Sequence, residues 1–133
     1  MIVVLDQLTK WIIAKTFPLH ESISLIPNVV YLTYIQNTGA GFGILKNMNA
    51  LLIWMIIFVI GLILYNYQKI PKKPFPQIMT ACVVGGAIGN LLSRIFLGYV
   101  IDFIDFRFWP AFNLADSAVT IGIIGLIIYF WKK

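Results

Sequence analysis

The stretch Val100–Gly122, VIDFIDFRFWPAFNLADSAVTIG, decides the reading, because it sets two carboxylates at the mouth of what otherwise resembles a membrane span. Asp116 is followed by an apolar run from Ala118 to Trp131, broken only by Thr120 and glycines. Asp102 sits in an apolar run of its own, among Val100, Ile101, Phe103 and Ile104. A carboxylate beside hydrocarbon costs roughly 2.5–3.5 kcal/mol on insertion scales, so such residues are rare and usually functional. Two acids of one type in dry surroundings suggest a pair that shares a proton and activates water. A plainer reading makes Asp102 and Asp105 wet loop acids and Asp116 an acid facing the positive end of a helix dipole.

Composition favours a membrane setting. The 133 residues suit a single domain, with 60% hydrophobic and 11% charged residues and a mean hydropathy of +0.89. Soluble domains carry about 25% charged residues. The net charge of +5 could point to nucleic acid. Yet half of the ten cations, Lys69, Lys72, Lys73, Lys132 and Lys133, flank apolar runs, as at cytoplasmic membrane edges, so no nucleic-acid partner is expected. The lone Cys82 lies between Ala81 and Val83 and reads as a small buried hydrophobe. No cysteine or histidine cluster has metal-ligand spacing, His20 reads as a loop residue, and neither metal nor cofactor is expected.

Four apolar runs predict an α-helical integral membrane protein with spans at about 1–16, 49–67, 77–96 and 113–131. The first is short: sixteen residues give roughly 24 Å against a hydrocarbon core of about 30 Å. It is expected to draw on the interface or to begin upstream, and no basic leader of a cleavable signal peptide precedes it. Within it Asp6 and Lys10 have the spacing and order of a helical ion pair. They read either as an internal salt bridge or as the lining of a polar site between helices. The outer loop 17–48 holds a β-branched and aromatic run, Val29–Ile35, that predicts a small extracytoplasmic β-element between the first two helices. The glycine turn Asn37-Thr38-Gly39-Ala40-Gly41-Phe42-Gly43 follows, where a ligand could approach the backbone closely. The loop 68–76, rich in lysine and proline, cannot continue a helix. In the third span Gly85 and Gly89 permit close helix contact. Gly86, Asn90 and Arg94 step four residues at a time along one face, which should look inward. The loop 97–112 is expected to be the second outer loop. The basic 68–76 loop and tail place both termini in the cytoplasm, so Asp102, Asp116, Asn37 and Arg94 gather at the outer face.

Four motifs, in order, resemble the prolipoprotein signal peptidase (signal peptidase II) family of membrane aspartic peptidases. Leu5–Lys10, LDQLTK, resembles D-Q-x-[ST]-K, which in the family usually has more residues before it, so a native start at Met1 and one further upstream both stay open. Asn37–Phe42, NTGAGF, resembles N-T-G-x-[AG]-F, and Gly89–Arg94 with Gly98–Val100 resembles G-N-x-x-D-R…G-x-V. Val100–Ile104 and Phe112–Ser117 resemble V-[VI]-D-F-[IL] and F-N-x-A-D-S. Ser93 departs from the pattern, since the family usually has aspartate there, and this should remove a local partner of Arg94.

The resemblance implies an intramembrane aspartic endopeptidase of the bacterial cytoplasmic membrane. It would cut the signal peptide from diacylglyceryl-modified prolipoproteins, just before the lipidated cysteine. Asp102 and Asp116 would be the catalytic pair, one ionised and taking a proton from water, the other neutral and donating to the scissile carbonyl. Asp102 occupies the motif position, which leaves Asp105 a solvated loop acid. Asn37, Asn90, Arg94 and the Asp6–Lys10 pair would hold substrate oxygens. Gly39, Gly86, Asn113 and Ala115 complete the substrate set, with Asn113 orienting one acid. The expected partners are the lipid-modified substrate and membrane lipid, around a monomer. The rival class is a small proton-coupled transporter or channel subunit relaying protons through Asp6, Lys10 and Asp116. That class explains intramembrane charges but not their clustering at one face or the strand and glycine turn. A scaffold without activity would leave every buried charge unexplained.

Overall fold

The computed structural model describes residues 1–132, the side chain of Phe42 excepted. Lys133, counted above in the basic tail, lies outside the described residues. The helices are α1 (Ile2–Thr16), α2 (Asn49–Tyr65), α3 (Pro74–Leu97) and α4 (Leu114–Trp131). The strands are β1 (Ser22–Ile26), β2 (Val30–Asn37) and β3 (Val100–Asp105), and single 3₁₀ turns occupy Gly41–Gly43 and Tyr67–Lys69.

The surface is apolar where a soluble protein would be polar. Leu52 is the sole buried residue of α2, while Trp54 and Phe58 are 68% and 70% exposed. Helices apolar on every side are stable only against hydrocarbon or a larger core, and here the protein supplies no such core. The chain is an integral membrane protein. Among the described residues α3 and α4 are long and apolar enough to cross a membrane, and α2 is apolar but shorter.

Helix α3 begins at Pro74, three residues before the expected start. Proline is tolerated in a first turn, because the N–H it lacks would have no partner there. Gly98, at φ +81°, then ends the helix in the left-handed region that suits glycine. The glycines of α3 serve two neighbours. A Cβ on Gly89 would lie 2.6 Å from Asp6 Oδ2 on α1, and one on Gly86 would press on the Ala115 carbonyl and lie 2.8 Å from Val119 Cγ2 on α4. The close approach permits the buried polar contacts between α1, α3 and α4 described below.

The sheet differs from expectation. Its order is β1–β2–β3, antiparallel throughout, so the loop after α3 supplies its third strand. The pairing sets Asn37 opposite Val100, Ile35 opposite Asp102 and Tyr31 opposite Asp105. In β3 all residues except Ile104 are buried, so both faces are covered and no polar–apolar alternation marks it as a strand. Ile101 and Phe103 pack with Tyr34 of β2 and Ile13 of α1, which anchors the sheet to the end of the first helix.

The α3–α4 contact leads to a direct expectation. Gly86→Val should lower the melting temperature of the detergent-solubilised protein, with the loss of about 1–3 kcal/mol typical of overpacking. Gly41→Ala, where a Cβ would meet nothing within 4 Å, should melt within a degree or two of the parent, as surface changes away from tight contacts do.

Candidate active site

Asp102 lies in the middle of β3 and is 3% exposed. Its Oδ1 accepts a hydrogen bond from Asn113 Nδ2 at 2.7 Å, and its Oδ2 accepts one from Asn37 Nδ2 at 2.9 Å. Asp116 lies in the first turn of α4, where its Oδ2 accepts from the Asn113 backbone N–H at 3.2 Å and its Oδ1 from Asn90 Nδ2 at 2.7 Å. Asn113 caps the helix, and its Oδ1 accepts from the Asp116 N–H at 3.0 Å in a reciprocal capping box. One asparagine therefore holds both acids. Each amide is also oriented: Asn37 Oδ1 accepts from the Gly39 N–H and Asn113 Oδ1 from Asp116 N–H, so both NH₂ groups turn to Asp102.

Behind the acids lies a sealed ionic network. Lys10 Nζ donates to Asp6 Oδ2 at 2.7 Å, Asn90 Oδ1 at 2.8 Å and Ser93 Oγ at 3.2 Å, which uses all three of its donors. Asp6 Oδ1 accepts the Ala115 N–H at 3.0 Å, one of the otherwise unbonded amides at the start of α4. Ser93 faces Lys10, so the expected loss of a partner for Arg94 does not occur at this position. Arg94 points the other way, donating from Nη2 to the Gly39 carbonyl at 2.5 Å and from Nη1 to Asn49 Oδ1 at 3.4 Å.

A cavity of about 750 Å³ joins these parts, with Asn37, Gly39, Asn90, Arg94, Asp102 and Asp116 on its wall. Leu52 and Ile56 of α2 and the loop residues Trp109–Phe112 supply apolar wall. Of the residues assigned to substrate by sequence, Asp6, Lys10, Gly86, Asn113 and Ala115 are not on that wall. They are packed behind it, since Asp6 and Lys10 spend their charge on each other and Gly86 is closed over by α4. Asn49 and the wall residues Trp109, Pro110 and Ala111 escaped the sequence reading. Asn49 had one signal, a lone amide opening an apolar span. Asp105 is also corrected: it is buried at the end of β3, not solvated, and accepts from Thr33 Oγ1 at 2.9 Å and the Arg107 N–H at 2.8 Å.

Burial, and after it the charge of Asp116, push the Asp102 carboxyl up to about 7, against the opposing pull of the Asn37 and Asn113 amides and the Lys10 charge. A carboxyl that keeps its proton near neutrality beside a second acid can act as a proton donor. Among the described residues no group of three or more His, Cys, Asp or Glu is arranged to hold a metal ion.

An integral membrane protein with two aspartates, tied by one asparagine, on the wall of one cavity has the parts of a membrane aspartic peptidase. The family described as signal peptidase (SPase) II matches residues 1–132. The lipoprotein signal peptidase of Halothermothrix orenii is 44% identical over 133 residues, covering 100% of this chain and 92% of that protein. That of Streptococcus agalactiae serotype V is 41% identical over 136 residues, covering 100% and 88%. A solved bacterial membrane enzyme superposes with a TM-score of 0.93 at 34% identity, covering 98% of this chain and 83% of that one. The chain belongs to the signal peptidase II family and is an aspartic peptidase, a hydrolase.

The raised Asp102 makes stability depend on pH with a definite sign. An unfolded aspartate titrates near 3.9, so between about 4 and 7 the folded chain holds a proton that the unfolded chain releases. Folding stability therefore falls as pH rises through that window and levels off above it. Melting curves from pH 4 to 8 should show this fall, and Asp102→Asn should flatten it. The slope is the readout, because asparagine must set one NH₂ hydrogen against a donor of Asn37 or Asn113.

Proposed function

We propose that the chain removes the signal peptide from diacylglyceryl-modified bacterial prolipoproteins, cutting just before the lipidated cysteine. The observation that carries the proposal is the convergence of Asp102 and Asp116 on one cavity through Asn113. Asp116, at the positive end of the α4 dipole and holding two N–H donors, suits the ionised role. It takes a proton from water, and the water oxygen attacks the scissile carbonyl carbon. Asp102, protonated up to about pH 7, donates to the carbonyl oxygen. Collapse of the tetrahedral intermediate then breaks the C–N bond, with the proton taken up by Asp116 passing to the leaving amine and a hydroxyl proton of the intermediate returning to Asp102.

Asn37, Gly39, Asn90 and Arg94 on the wall suit the substrate backbone and glycerol oxygens. The apolar side of the cavity, with Leu52, Ile56 and Ile121, suits acyl chains. Asp6, Lys10, Gly86 and Ala115 act from behind, by fixing Asn90 and the start of α4. All four helices cross the cytoplasmic membrane in this proposal, with Lys69, Lys72 and Lys73 inside, both termini cytoplasmic and the cavity near the outer face. The described residues of one chain bring both acids and the polar groups around them to the cavity, which supports a monomer as the working unit. A proton-relaying transporter is disfavoured, because Asp6 and Lys10, at 0% and 2% exposure, are bonded to each other and lie behind the cavity wall.

Cleavage of a lipidated prolipoprotein by the purified protein, followed by mass, tests the proposal. Asp102→Asn and Asp116→Asn should each slow it by about 10²–10⁴-fold, the range of general acid–base groups. The double variant should be no worse than the slower single one, since residues acting as a unit are not additive. Substantial turnover by either single variant would remove the dyad. Burying alkyl chain contributes about 0.8 kcal/mol per CH₂, so unlipidated precursor should be cut far more slowly. Equal rates on the two substrates would overturn the lipid-recognition half of the proposal.

A further inference from the structure

One buried acid has no part in the chemistry above. Asp105 and its partner Arg107 lie at the far end of β3, where the chain leaves the sheet for the loop 106–111. Arg107 adopts φ +67°, a region that residues other than glycine rarely occupy. Four contacts hold it there. Its backbone N–H donates to Asp105 Oδ1 at 2.8 Å, and its Nε lies 3.5 Å from Asp105 Oδ2. Its Nη2 donates to Ser22 Oγ at 2.6 Å, and its guanidinium carbon sits 4.0 Å from the centre of the Tyr31 ring. Thr33 Oγ1 donates to Asp105 Oδ2 and contacts Ser22 Oγ at 2.8 Å, so all three strands are tied to one side chain.

Half-exposed ion pairs contribute little to stability, and the sheet is already held by its backbone ladder and by its packing on Ile13. What the cluster does fix is the start of the loop. The loop's other end is fixed by the Phe112–Ile104 backbone pair, N–H to carbonyl at 3.0 Å and 2.9 Å. Between these two points run Trp109, Pro110 and Ala111, which face the cavity that holds Asp102 and Asp116.

We infer that Asp105 and Arg107 form a clasp that holds the 106–111 loop in place as a wall of the cavity, making Arg107 a positioning residue for substrate binding. Its substrate is that of the peptidase proposal, on which this inference rests. A planar guanidinium is required, since it must stack on Tyr31 while bonding Ser22 and Asp105, which an ammonium cannot do.

The test compares Arg107→Ala, Arg107→Lys, Asp105→Asn and the Asp105→Asn/Arg107→Ala double variant with the parent. The substrate is the lipidated precursor, and backbone hydrogen exchange is followed in parallel. Arg107→Ala should raise KM about five- to tenfold, as expected for losing an ion pair together with a cation–π contact, with kcat within about twofold and the pH profile unmoved. Arg107→Lys should stay nearer to Ala than to the parent, and the double variant should be no worse than Arg107→Ala alone. The amides of Arg107, Phe108, Trp109 and Ala111 should exchange faster while those of Phe103 and Ile104 keep their protection. An unchanged KM, or a fall in kcat at constant KM, would overturn the inference, as would faster exchange spread through all three strands. The exchange arm needs no substrate. A parent protein that fails to cleave would therefore count against the peptidase proposal, while the clasp would still stand or fall on loop exchange.

Discussion

The arrangement depends on the side chain of Asn113. It is fully buried, and its amide does the work of three separate contacts: Oδ1 caps α4 through the Asp116 N–H, while Nδ2 donates to Asp102 Oδ1 and to Asn90 Oδ1. A helix N-terminus, a strand and a second helix thus meet in one planar group. Its geometry admits no rotation, since turning the amide would set a donor against the Asp116 N–H and an acceptor against a carboxylate. The acids hold their relation because a single rigid unit holds both.

Around that unit, the low-dielectric surroundings raise the stakes of every polar group. An unpaired donor or charge costs far more in such a setting than in water, and among the described residues no fully buried side-chain nitrogen or oxygen lacks a partner. Lys10 is the clearest case. Its charge is balanced by Asp6, and one of its two remaining donors orients Asn90, which then presents its NH₂ to Asp116. The effect of a residue outside the cavity reaches the acid through one oriented amide. Serine at position 93 fits the same network, accepting from Lys10 and donating to the Gly89 carbonyl without adding a charge.

The sheet has a second structural role. Joining the loop after α3 to the hairpin after α1 brings Asn37 to Asp102, residues separated by two helices in sequence. The same pairing sets Tyr31 opposite Asp105 and gives Arg107 a ring to stack on. Both ends of β3 thus meet polar partners on β2, one end by the cavity and the other at the clasp.

Sequence alone determined the membrane class, because composition and unbroken apolar runs leave little else for such surfaces to face. It also marked Asp102, Asp116, Asn37, Asn90 and Arg94, since polar groups in apolar runs stand out and four motifs resembled one family. It placed the helices nearly where they lie, missing the start of α3 because prolines that break a helix interior are tolerated in its first turn. Tertiary structure decided the rest. β3 was hidden because a strand covered on both faces carries no alternation, and Asp105 passed for a loop acid because its partners Thr33, Ser22 and Tyr31 lie on other strands. Whether Asp6 and Lys10 face a cavity or each other depends on how closely α3 and α4 approach them. That approach rests on contacts at Gly86 and Gly89 that helical spacing can suggest but that only the packed helices define.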